Sequence, residues 1–174
     1  MDYNRKRNEL LKTLIAYYTP SKFSIIHDIL IGEDALTMSI INFTVINYAI
    51  MYDACITLVN KKGINEYIYI TRSYLSQLDE HRKQCFDAFC RKPKILFEYE
   101  PNKTIVTSVS QLNFYKWVIE IGLLEYIREN YENINIEYKN KKDHSSVLSS
   151  SSIKYDNKIK VSSSILSNVF DEDS

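Results

Sequence analysis

Glycine, proline, cysteine and histidine are each close to absent, with three of each among 174 residues. Three scattered glycines cannot build a phosphate-cradling loop or a glycine-supported nucleophile elbow. The histidines, His27, His81 and His144, leave little for general acid–base work, and no serine sits in a recognisable catalytic setting. An odd set of cysteines, Cys55, Cys85 and Cys90, argues against a secreted disulfide framework. His81 and Cys85 share a helical face, with Cys90 five residues on, but no second pair completes a metal-ligand pattern. Glu98 and Glu100 alternate along one strand face, where a solvated edge explains them. No enzyme, cofactor or metal is therefore expected.

An excess of charge is missing too: 22 basic residues face 22 acidic ones. No global field draws the chain to nucleic acid or to an anionic membrane, so such a site must be a local patch. Long apolar runs are also missing. The longest, Ile25 to Ile31, is broken by His27 and Asp28 and is too short to span a bilayer. Met1 to Lys12 is polar and charged, unlike a signal peptide. The expectation is a protein that is not secreted, with Asn42-Phe43-Thr44 and Asn102-Lys103-Thr104 as chance glycosylation triplets.

What is present is a helical pattern interrupted twice. Leu10, Leu11, Leu14, Ile15 and Tyr18 form one stripe, stopped by Pro20. Ser21 to Ile31 makes a second helix closed by Gly32. Leu36 to Tyr52 is apolar on more than one face and is expected to be the central helix. Ala54 to Val59 and Ile64 to Ile70, joined by Asn60-Lys61-Lys62-Gly63, predict a β-hairpin. Thr71 to Phe89 returns to helix. A second hairpin follows, Ile95 to Glu100 and Thr104 to Thr107, turning at Pro101-Asn102-Lys103. Ser108 with Gln111 opens a further helix as a capping box, and Gly122 marks a kink or corner before Leu123 to Tyr131. The core is assigned to Phe43, Ile46, Phe86, Phe89, Leu112, Trp117 and Leu124.

The fold class is thus α+β: a helix-dominated domain over residues 1–138 with two β-hairpins. Residues 139–174 form a polar linker, Lys139 to Lys142, and a Ser-rich tail. In that tail Ile153, Tyr155, Ile159 and Val161 alternate with polar residues around Asp156-Asn157. The pattern suits a small hairpin acting as an interaction arm, and the serine excess equally suits a solvated tail.

One cluster invites a ligand. Arg91, Lys92 and Lys94 lie in a connector between helix and strand, with Arg82 and Lys83 upstream and Tyr99 beside it. Cations could hold a phosphate backbone while the tyrosine stacks on a base. The same cations near a helix C-terminus also suit the helix dipole without any ligand.

Phe86-Asp87-Ala88-Phe89-Cys90-Arg91-Lys92, a hairpin, and then Gln111-Leu112-Asn113-Phe114-Tyr115-Lys116-Trp117 resemble a small uncharacterised family from nucleocytoplasmic large DNA viruses. Its helix runs Q-L-N-F-F-K-W-A-I-E, followed by an L-x-Y-I segment. Val118-Ile119-Glu120 and Glu125-Tyr126-Ile127 match that pattern, and the likeness covers about Leu36 to Tyr131. The resemblance implies a viral protein of host cytoplasm or virion. It carries no activity over to any residue. Two readings follow: a non-catalytic virion or capsid-associated protein acting through a viral or self protein partner, and a nucleic-acid-binding accessory factor of viral replication or transcription. Neither involves a membrane.

Overall fold

A computed structural model describes the backbone of residues 3–150 and the side chains of residues 3–145. The chain divides into two compact units, Met1–Lys139 and Asn140–Ser174. The first is α+β, with helices dominant and two separate antiparallel hairpins.

Helix α1 (Tyr3–Tyr17) gives way at Pro20, which occupies the first turn of α2 (Pro20–Ile31). There its missing N–H costs nothing, and the Thr19 hydroxyl caps the Lys22 amide at 3.3 Å. Gly32 ends α2 in the left-handed region, φ 81°, while the Glu33 amide turns back to the Asp28 carbonyl at 2.8 Å. The segment expected as the central helix is broken into α3 (Met38–Phe43), a π-helical stretch (Thr44–Tyr48) and α4 (Ala49–Tyr52). Within it the buried Thr44 hydroxyl bonds back to the Ile40 carbonyl at 2.8 Å. Its end is not central, for Ile50, Met51 and Tyr52 face solvent. The central place belongs to α6 (Val109–Glu120), buried without a break from Val109 to Tyr115 and again at Trp117 and Val118.

The first hairpin pairs β1 (Cys55–Val59) with β2 (Asn65–Tyr69), Thr57 opposite Tyr67. The second pairs β3 (Ile95–Glu100) with β4 (Lys103–Thr107), Leu96 opposite Val106. Gly122, φ 73°, makes the corner between α6 and α7 (Leu123–Glu129).

Helix α5 (Ile70–His81) is shorter than its sequence pattern suggests. It stops at Arg82, whose φ of 58° and ψ of 154° lie outside any helix, and residues 83–94 form a connector with a single 3-10 turn. Phe89 therefore leaves the expected helical stripe and is 46% exposed, whereas Phe86 is buried. Ile46 is only partly buried, while Phe43, Leu112, Trp117 and Leu124 are core residues as expected.

Residues 139–142, expected as an irregular linker, are helical and belong to α8 (Tyr131–Ser150). The proposed arm residues Ile153, Tyr155, Ile159 and Val161 lie outside the described residues.

Candidate functional site

The connector between α5 and β3 is held by the polar side chains that open α6. Gln111 Nε2 donates to the Ala88 carbonyl at 2.9 Å, and Asn113 Nδ2 to the Cys85 carbonyl at 2.9 Å. The Ser108 and Ser110 hydroxyls donate to the Cys90 and Gln84 carbonyls. In return the Asp87 amide donates to the Ser110 carbonyl at 3.3 Å. Four buried polar residues thus satisfy a loop that has no ladder of its own. The capping box is only half formed. Ser108 Oγ accepts the Gln111 amide at 3.1 Å, but the Gln111 side chain reaches Ala88 and the Thr107 hydroxyl instead of the Ser108 amide.

This accounts for the Gln-Leu-Asn-Phe-Tyr-Lys-Trp run. Gln111 and Asn113 grip the connector, Leu112, Phe114 and Tyr115 are core, and the Trp117 indole N–H donates to Ser73 Oγ at 2.9 Å. The motif carries packing and polar satisfaction. Nothing in that geometry resembles a nucleophile and its base.

On this held backbone Arg82, Lys83, Arg91, Lys92 and Lys94 are all exposed. No carboxylate among the described residues pairs with any of the five. Tyr99 does not join them as a stacking platform. Its ring already stacks on Phe23, centroids 4.7 Å apart at 19°, and its hydroxyl lies 3.4 Å from His27 Nε2. The reason is strand alternation: Tyr99 shares the inward face of β3 with Phe97, which packs on Tyr18 and Phe23.

His81 stacks on Phe86 and lies 3.6 Å from Glu80, while Cys85 is buried with its carbonyl bonded to Asn113. Among the described residues no group of three or more His, Cys, Asp or Glu side chains could hold a metal ion. Tyr3 of α1 sits beside Cys85; its phenol is raised above its ordinary value, first by desolvation and then by the Cys85 thiol.

A second feature escaped the sequence reading. An open groove of about 560 Å³ runs along β1, lined by the consecutive residues Cys55, Ile56, Thr57 and Leu58 and by the corner of α6 and α7. Its far wall carries Glu120, Glu125 and Glu129 beside Tyr126. Glu120 is 3.6 Å from Lys116, whereas Glu125 and Glu129 have no cation partner among the described residues. Contact with consecutive β1 residues means that the strand's edge, rather than one of its faces, opens on the groove. The only available signal was the pair of glutamates four apart on a short helix, a pattern common on solvated faces.

A family model described as "Family of unknown function (DUF7197)" matches residues 3–173. A protein of Acanthamoeba polyphaga mimivirus named "Uncharacterized protein L507" is similar, at 28% identity over 113 residues. The match covers 62% of this chain and 43% of the relative, so the chain spans less than half that protein's length. Together these similarities support an uncharacterised family in large DNA viruses. No solved structure matches the chain.

Proposed function

This chain belongs to the DUF7197 family, which brings no activity with it, and from its surfaces we propose a non-catalytic viral protein that acts by protein–protein contact. A capsid-associated or other virion component is the form of that role we favour. The observation that carries the reading is the outer face of the second hairpin. Leu96, 70% exposed, stands directly across from Val106, 54% exposed, as an apolar cross-strand pair in water. The first hairpin likewise exposes Val59 and Tyr67. Apolar and tyrosine side chains on rigid strands supply contact area at little entropic cost.

The test is quantitative mass spectrometry of purified particles, followed by crosslinking of wild type and the Leu96→Lys, Val106→Lys double variant. Stoichiometric presence in particles, with crosslinks lost in the variant, is the expected result. Absence from particles refutes the virion role, and unchanged crosslinks refute the role of this face.

The second reading, a nucleic-acid-binding accessory factor of viral replication or transcription, is favoured by the five exposed cations at and just before the connector, none of them paired with a carboxylate among the described residues. It calls for binding to single- or double-stranded DNA or RNA that falls steeply as salt rises, with a slope reduced by Lys→Ala changes at 92 and 94. Salt-independent binding, or none, rejects it.

A further inference from the structure

We propose that the groove along β1 receives an extended segment of a partner protein as a third strand, and that this segment alternates lysine with apolar residues. The inference rests on the protein-contact reading above and names the partner's chemistry at a different surface.

The hydrogen-bond register of the first hairpin shows which amides are available. Ile70 N–H donates to the Ala54 carbonyl and Asn60 N–H to the Ile64 carbonyl, so the even-numbered positions 54 to 60 form the bonded pairs with β2. The amides and carbonyls of Cys55, Thr57 and Val59 therefore point the other way, towards the outer edge of β1. No backbone or side-chain group among the described residues takes up the Thr57 or Val59 amide. Such a row of unpaired donors and acceptors is a template for strand addition. Natural edges are often blunted by lysine, proline or a bulge. The β1 sequence, Cys55-Ile56-Thr57-Leu58-Val59, has neither residue type, and its pairing has no register shift.

The wall opposite decides the occupant's charge. Glu125 and Glu129 are one helical turn apart on α7, a rise of about 6 Å. Alternate residues of an extended strand are about 6.6 Å apart and point to the same side. A strand laid on β1 can thus aim two lysines, separated by one residue, at the two carboxylates. The intervening apolar side chains then fall on the opposite side, with Thr57 and Val59. An acidic or uncharged strand would leave the carboxylates facing a like charge or no charge at all, which disfavours it.

The test titrates the full chain with a fluorescent, end-blocked Lys-Val-Lys-Val-Lys peptide. Three controls are run alongside: Glu-Val-Glu-Val-Glu, a lysine peptide N-methylated at both valines, and one N-methylated at the lysines. Binding of the lysine peptide, loss of the acidic one, and loss of binding in one of the two N-methylated series are the expected results. The double variant Glu125→Lys, Glu129→Lys should weaken the lysine peptide by about tenfold or more and restore binding of the acidic one. Circular dichroism of the variant, compared with wild type, separates a lost site from a lost fold, and the N-methyl peptides need no variant at all. No binding of the lysine peptide, or binding indifferent to N-methylation in both series, overturns the proposal. Either failure leaves the Leu96 and Val106 crosslinking result untouched, so the two readings fall separately.

Discussion

The two hairpins are both antiparallel and differ by one strand residue, yet they are held in different ways. In β3–β4, Phe97 enters an aromatic cluster with Tyr18 and Phe23, and Tyr99 stacks on the same phenylalanine. Its approach, the connector, is gripped by three buried side chains of α6 and by its cap residue Ser108. In β1–β2, Ile56 is the one fully buried strand residue, with Leu58 and Ile68 partly covered, and the approach from α4 is a left-handed turn at Asp53. One hairpin is anchored by rings and polar contacts. The other rests lightly, and among the described residues its β1 edge is unpaired beside a groove. Similar secondary structure is thus fastened through side chains in one place and leaves backbone groups of an edge strand unpaired in another, among the described residues.

The largest expected effect comes from the anchor. Phe97→Ala should cost about 3–5 kcal/mol, against roughly 2 kcal/mol for Ile56→Ala, measured by urea denaturation. Equal costs would mean that the two hairpins are held alike.

Next comes the grip on the connector. Asn113→Leu removes the donor to the Cys85 carbonyl and leaves it buried without a partner, at a cost of about 1–3 kcal/mol. The accompanying loss of amide protection should spread through residues 85–90 and leave β1–β2 unchanged. Loss in both hairpins would show that they are not separately held.

Tyrosine burial sharpens the same point through pH. Tyr18 donates to the Leu112 carbonyl at 2.6 Å and packs on Phe97, and desolvation lifts its phenol well above 10. Because the folded value is raised, its contribution to stability is complete below pH 10, the unfolded value, and declines as pH rises towards the folded value. Alkaline denaturation of wild type against Tyr18→Phe should show a weaker pH dependence above 10 in the variant. Tyr115, also raised by desolvation, has a buried hydroxyl with no partner among the described residues, so Tyr115→Phe should be neutral or stabilising by up to about 1 kcal/mol.

The smallest effect is a gain. Arg82 holds a backbone geometry that glycine adopts freely, and Arg82→Gly should raise stability by about 1 kcal/mol in thermal denaturation.

Much of this architecture was legible in the sequence, because periodicity and punctuation are local signals. Pro20, Gly32 and Gly122 mark real boundaries, and Asn60 to Gly63 and Pro101-Asn102 mark real turns. The α5 boundary was not legible. Phe86 and Phe89 continue a helical spacing, and the break at Arg82 is imposed by distant partners, Ser110, Gln111 and Asn113, which bind the connector's carbonyls. The relative centrality of α6 was hidden for the same reason, since its polar residues look like surface until their partners are known. Of the candidate site, the five cations were visible as a cluster. The inward turn of Tyr99 and the groove facing β1 depend on which elements meet, and no spacing in one segment reports that.

Among the described residues the first hairpin has an unpaired β1 edge while the second is anchored. Residue-resolved amide hydrogen exchange on the full, unliganded chain tests it most directly. The Ile56 and Leu58 amides, bonded to β2, should exchange slowly, and the Thr57 and Val59 amides between them should exchange fast. Equal, strong protection at all four would mean that the edge is already paired.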